Sequence, residues 1–137
     1  PSDIGVSFTE DFMPLLSPKT YRDFGIPYIK KMQDALGGLH IHCCGDWGRH
    51  AKNICKAGLK IKAYEFWYPL TRIEELECLA KDTIFIPYIL LDKQDDFKTE
   101  TEYYRYLLRK TGEHFRFWFA CRDDSDEMIR FAEELNE

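Results

Sequence analysis

The sequence predicts an α/β fold with parallel strands, present as five strand–helix units. Three observations predict it: short apolar runs alternate with longer amphipathic runs, glycines stop several of the latter, and the composition is globular, with 45% hydrophobic and 31% charged residues. Because each strand is followed by a helix that can cross the sheet, successive strands run in the same direction. The 137 residues fit a single domain spanning residues 1–137.

The first strand–helix unit has clear start and stop signals. Ile4–Phe8 is predicted as a strand. Ser17 is a favoured helix cap and Pro18 suits the first helical position, so a helix is expected to begin there. It should run to about Leu36, kink at the internal Pro27, and end at the glycine pair that follows.

The next two units follow the same pattern. Leu39–Cys44 is predicted as the second strand, and the helix after it should run through Ala57 to a glycine stop. Ile61–Trp67 is the predicted third strand. The helix Thr71–Ala80 begins with Thr71 as its cap and Glu74 as the acidic member of a capping box.

The last two units complete the repeat. Ile84–Leu91 and Phe115–Ala120 are the predicted fourth and fifth strands, and Thr99–Thr111 and Ser125–Asn136 the helices after them. Two architectures fit this order: a doubly wound sheet and a (β/α)8 barrel. A complete barrel needs about 200 residues at the least, so this chain would form a little over half of one.

Charge and the length of the apolar runs argue against two classes of partner. Nineteen Lys and Arg against 24 Asp and Glu give a net charge of -5, whereas phosphate binding needs clustered cations. The longest apolar runs, such as Ile84–Leu91, are far shorter than the ~20 residues of a membrane-spanning helix. We therefore expect neither nucleic acid nor a membrane as a partner.

The cysteines indicate a reducing compartment. Five cysteines, two of them adjacent at Cys43 and Cys44, make a poor disulfide framework. The N-terminal residues show no signal-peptide pattern, so we expect a cytoplasmic protein. Its thiols would stay reduced, free to pack in the core or to bind a metal.

The main chemical pattern lies at the end of the second strand, in the segment His40–Gly45. Because side chains alternate along a strand, His42 and Cys44 share one face. Both lie at the carboxyl end of a parallel strand, which carries the active site in such folds. Imidazole nitrogen and thiolate sulfur are zinc ligands, so the pattern predicts a metal site. The alternative is that both side chains are ordinary core groups.

Cys121, at the end of the fifth strand, is the predicted third metal ligand. On a flat sheet the two ligand-bearing strands would lie about 14 Å apart, because neighbouring strands are spaced by about 4.8 Å. On the concave side of a curled sheet their side chains converge, which favours the barrel. Three protein ligands leave a fourth position open, as in catalytic zinc sites, where a substrate thiol can be held as a thiolate.

Four other residues are candidates for catalysis or substrate binding. Glu10 and Asp11 follow the first strand and suit acid–base chemistry, or they supply negative charge near the next helix. Glu65 lies within the third strand, where an unpaired carboxylate is costly. It is either a further metal ligand or a partner of a helix lysine. Tyr88 ends the fourth strand and either lines a substrate pocket or packs.

Two stretches resemble the uroporphyrinogen decarboxylase superfamily. Residues 10–24 carry an acidic pair, Leu-Ser-Pro and an aromatic residue, followed by Pro27-Tyr28, in the order typical of that superfamily. The segment His42–Gly45 resembles the His-x-Cys-Gly signature of one branch, the zinc-dependent cobalamin:thiol methyltransferases, which include cobalamin:coenzyme M methyltransferases. The resemblance covers nearly the whole chain, as the carboxyl-terminal part of the family's barrel.

The resemblance implies part of a (β/α)8 TIM-like barrel, with Zn²⁺ bound by His42, Cys44 and Cys121. It implies a methyltransferase that moves a methyl group between a corrinoid and a thiol, so a corrinoid protein or a small-molecule thiol is the expected partner. Two alternatives stay open: a metal-free protein that binds or decarboxylates a tetrapyrrole, and an inactive half-barrel that serves as an interaction module. Because a partial barrel exposes strand edges, we expect a piece of a longer protein or a homodimer that covers them.

Overall fold

A computed structural model describes residues 5–120, 122 and 125–136. Its centre is a sheet of five strands: β1 (Val6–Thr9), β2 (Leu39–His42), β3 (Ile61–Tyr68), β4 (Ile84–Ile89) and β5 (Arg116–Phe117). Five α-helices accompany it: α1 (Pro18–Thr20), α2 (Ile26–Leu36), α3 (Gly48–Ala57), α4 (Glu100–Lys110) and α5 (Asp126–Glu134). Three 3-10 helices (Met13–Leu15, Ile73–Leu79 and Leu91–Lys93) and one π-helical turn (Tyr21–Gly25) complete the secondary structure.

All strand pairs in the sheet are parallel, and the strands lie side by side in sequence order from β1 to β5. The α/β class and the parallel strands are therefore confirmed. A doubly wound sheet changes direction at a point where the strand order reverses. The described strands contain no such reversal.

The helical segment 18–36 is continuous, and its irregularity lies just ahead of Pro27, the residue at which a kink was expected. The irregularity is the π-helical turn Tyr21–Gly25, and Pro27 lies in the first turn of α2 after it. Because the π-helical turn continues into α2 without a break, the missing N–H of Pro27 removes one bond of the helical ladder, to a carbonyl of the preceding turn. Gly25 is required at this turn, since a Cβ atom would overlap the ring of Tyr21.

Several element boundaries differ from the prediction; for example, β2 ends at His42, so Cys44 lies in the turn after the strand. Ile4, the expected start of the first strand, lies outside the described residues, and β1 begins at Val6. The segment after β3 is a 3-10 helix whose cap is Arg72, with Glu75 completing the capping box, so Thr71 and Glu74 were wrong for these roles. The fifth strand pairs with β4 only over Arg116–Phe117, shorter than predicted.

The two faces of the sheet have different surroundings. One face packs against the helices, and the side chains of Leu39, Ile41, Tyr64, Phe66 and Phe85 are fully buried there. By the alternation of strand side chains, the opposite face carries His40, His42, Glu65, Trp67 and Tyr88, which are only partly buried. This second face is therefore the one on which polar side chains are available for chemistry. Among the described residues, no helix is both long and apolar enough to cross a membrane.

Candidate metal centre

The candidate site forms where β1, β2 and β3 end. His42 is the last residue of β2, and it pairs with Thr9 of β1 and Glu65 of β3. The backbone N–H of Glu10 donates to the carbonyl of His42 at 2.9 Å, which extends the β1–β2 ladder beyond the strands. This extension brings Asp11, two residues after β1, beside the segment that follows β2.

Three potential ligand atoms meet at this point. The carboxylate of Asp11, the imidazole of His42 and the thiol of Cys44 each offer one atom, and these atoms all lie within 4.8 Å of one another. His42 Nε2 lies 2.9 Å from Cys44 Sγ. The backbone N–H of Cys44 donates to Asp11 Oδ1 at 3.0 Å and so holds the carboxylate close. A nitrogen, a sulfur and an oxygen donor at this spacing fit a zinc ion.

Glu65 orients the histidine. Its Oε2 lies 2.8 Å from His42 Nδ1, and its Oε1 lies 3.0 Å from Nε2 of His40 on the same face. A carboxylate that accepts from Nδ1 fixes the tautomer and leaves Nε2 free to bind a metal. Glu65 therefore lies behind the histidine, as the carboxylate partner commonly found outside the ligands of histidine metal sites.

The turn that presents Cys44 is held from both sides. Thr71 Oγ1 donates to the carbonyl of Gly45 at 2.9 Å and accepts the backbone N–H of Trp47 at 3.0 Å. Gly45 packs so closely on Pro14 that a Cβ atom there would overlap the proline ring. Cys43 is fully buried on the helix side and serves packing, while its neighbour Cys44 is exposed.

The electrostatics of the site disfavour a free thiolate at Cys44. Partial burial, followed by the negative charges of Asp11 and Glu65, raises the pKa of Cys44. Burial, followed by the charge of Asp11, also raises the pKa of Glu10. A thiol with a raised pKa is a weak nucleophile at neutral pH. The same excess of negative groups attracts a cation, which would in turn stabilise the thiolate of Cys44.

The sequence-predicted residues fall into three groups. Asp11, His42 and Cys44 come together, with Glu65 behind them. Glu10 does not join: its half-buried carboxylate lies on the helix side, and its charge contributes to raising the pKa of the buried Tyr21. Cys121, the predicted third ligand, lies outside the described residues.

An aromatic pair with an arginine lies next to the centre. Trp67 and Tyr88 are neighbours on β3 and β4, with ring centroids 4.9 Å apart and nearly parallel rings. The guanidinium of Arg122 lies 4.7 Å from the Tyr88 ring centroid and 5.4 Å from that of Trp67, and it pairs with Glu100 at 2.6 Å. Burial, followed by the negative charge of Glu65, raises the pKa of Tyr88.

Sequence reasoning missed two members of this group. Trp67 was recognisable, since it lies two residues after Glu65 on one strand and therefore shares its face. Arg122 gave no signal, because its contacts with Trp67 and Tyr88 depend on how the chain continues after β5.

We compared the chain with protein-family models, with curated proteins and with solved structures. No family model, curated protein or solved structure matches it.

Proposed function

We propose that the chain is the carboxyl-terminal part of a (β/α)8 barrel of the uroporphyrinogen decarboxylase superfamily and acts as a zinc-dependent methyltransferase. Support for the barrel comes from five parallel strands in sequence order, the arrangement of barrel strands. Support for the site comes from its position, because active sites of such barrels lie at the carboxyl ends of the strands.

One observation carries the proposed chemistry: the clustering of Asp11, His42 and Cys44 with Glu65 on the histidine. His42 Nε2 and Cys44 Sγ would hold the zinc. The family resemblance implies Cys121 as a further ligand, and Asp11 offers an oxygen donor close to the other two. When bound, zinc would lower the pKa of a substrate thiol and keep it as a nucleophilic thiolate at neutral pH.

The other residues of the site prepare it for a substrate. Glu65 fixes the orientation of His42, and the N–H of Cys44 fixes Asp11. Asp11 and Cys44 are exposed, so the centre is open to a small thiol and to a corrinoid that carries the methyl group. Tyr88 would line the substrate side of the pocket.

A second function is favoured by the aromatic pair Trp67–Tyr88 beneath Arg122. Stacked rings suit a flat conjugated ligand, and an arginine suits its carboxylates once it exchanges its pairing with Glu100 for them. This arrangement fits a metal-free protein that binds or decarboxylates a tetrapyrrole. Tetrapyrrole binding that is insensitive to a chelator would distinguish it from the methyltransferase.

Metal content per chain tests the proposal. We expect about one zinc per chain in protein purified without chelator, and we expect Cys44→Ser to lose it. Cys78→Ser is the control and should keep its zinc, because Cys78 is also an exposed cysteine but lies on another element. The zinc-loaded protein should transfer methyl from methylcobalamin to a small thiol, and Cys44→Ser should not. Wild-type protein without zinc would rule out the metal-dependent function and leave the tetrapyrrole binder.

A further inference from the structure

Two cysteines outside the candidate metal centre lie against each other. Cys55 is near the end of α3, and Cys78 is in the 3-10 helix Ile73–Leu79. The thiol of Cys55 donates to the backbone carbonyl of Cys78 at 3.1 Å, and the two side chains also interact directly. Both thiols are free. Two thiols in side-chain contact have the starting arrangement for a disulfide.

The pair faces a cavity of about 470 Å³ near the amino ends of β3 and β4, at the sheet edge opposite the candidate metal centre. Three lysines line this cavity together with both cysteines: Lys60, Lys62 and Lys81. Asp82 is the one acidic residue among the described residues lining it. Glu77, the neighbour of Cys78, is paired with His114 at 2.8 Å. The cavity is therefore cationic and suits an anionic reagent.

We propose that Cys55 and Cys78 form a reversible dithiol site that closes to a disulfide by exchange with a small anionic disulfide of the glutathione class. In the first step the thiolate of Cys78 attacks one sulfur of the reagent. Its S–S bond breaks, a mixed disulfide forms on Cys78, and one reagent thiolate leaves and is protonated. In the second step Cys55, deprotonated, attacks the Cys78 sulfur and releases the second reagent thiol. Two protein thiols are oxidised and one disulfide is reduced to two thiols.

The order of these steps follows from exposure. Cys78 is exposed and Cys55 is half-buried, so a reagent in solution meets Cys78 first. Burial raises the pKa of Cys55, which makes its attack the slower step. The mixed disulfide on Cys78 should therefore be observed before the closed disulfide.

The closed form would link two elements of the outer layer covalently. The two cysteines are 23 positions apart, and the bond would join α3 to the following 3-10 helix. A cross-link of this kind restricts the unfolded chain, so the oxidised protein should melt at a higher temperature than the reduced protein.

The test is incubation of the full chain with glutathione disulfide, followed by peptide mapping by mass spectrometry. Wild type should lose two hydrogens per chain, with the peptides of Cys55 and Cys78 joined, and a reducing thiol should restore the mass. Cys55→Ser should keep glutathione on Cys78, and Cys78→Ser should form neither product. Cys44→Ser is the matched control and should close like wild type.

Other outcomes would overturn the proposal. The proposal fails if wild type forms a disulfide between other cysteines or does not react at all. It also fails if Cys78 stays unmodified in folded Cys55→Ser. Circular dichroism of every variant before oxidation establishes that it is folded. If either serine variant fails to fold, peptide mapping of wild type at early and late times tests the proposal instead. The glutathione adduct on Cys78 must then appear before the disulfide between Cys55 and Cys78.

Discussion

At the scale of single residues, Glu65 has the most consequential contacts in the candidate centre. One carboxylate lies between His40 and His42, and it decides which nitrogen of His42 faces Cys44. Carboxylates in this position raise the basicity of a ligating histidine and fix its ring. An unpaired charge inside a strand would be costly, and the two imidazoles explain how the carboxylate of Glu65 can lie there.

We expect Glu65→Gln to lower zinc affinity by about 10- to 100-fold while the fold is retained, because the substitution removes the charge that orients His42. The measurement is competition with a chelating dye. Glu77→Gln is the matched control, since Glu77 also contacts a histidine, His114, but on the surface. Equal zinc affinities in Glu65→Gln and wild type would show that Glu65 has no role in metal binding.

At the scale of elements, a buried histidine ties α3 to the segment before α1. His50 is fully buried, and its Nε2 donates to the carbonyl of Met13 at 3.0 Å. Its Nδ1 is buried without a partner in the described part of the chain. Burial, followed by the charge of Arg49, lowers the pKa of His50, so the folded protein holds this side chain neutral.

This burial predicts a pH dependence of stability. Below pH about 6.5 the unfolded chain binds a proton at His50 while the folded chain resists it. The free energy of unfolding should therefore fall as pH decreases from about 6.5 toward the lower pKa of the folded state, by at most about 1.4 kcal/mol per pH unit from this group. Urea unfolding between pH 8 and pH 5 measures it. His50→Gln should show a shallower fall; an identical slope would assign the pH dependence to other groups.

The sequence was informative about elements to the extent that their signals are local. Strand alternation predicted that His42 and Cys44 share a face, and the cap Ser17 located the start of α1. The role of Thr71 was missed, because its hydrogen bonds join it to Gly45 and Trp47, which are distant in sequence. The bond between Asp11 and the N–H of Cys44 depends on the extended pairing of β1 with β2, which no local pattern specifies.

At the scale of the whole molecule, the described sheet has two open edges. β1 and β5 each pair with one neighbour only among the described strands. Beside β5, Trp118 has 66% of its side chain exposed. Unpaired strand edges next to exposed aromatic groups favour association with another chain.

We therefore expect the isolated chain to self-associate, and Trp118→Ser to weaken that association by on the order of tenfold. Sedimentation velocity over a series of concentrations measures both. Leu108→Ser, a change at an exposed apolar residue of α4, is the control and should leave association unchanged. A wild-type chain that stays monomeric at every concentration would contradict the expectation.

The order of the strands also has a consequence for synthesis on the ribosome. Asp11, His42, Cys44 and Glu65 all come from the first three strand units, so the part of the centre described here is complete once the chain has emerged through Tyr68. Contacts between segments close in sequence form early, and chains fold from the amino terminus as they are made. A nascent chain can thus present these donors before α4, β5 and α5 exist.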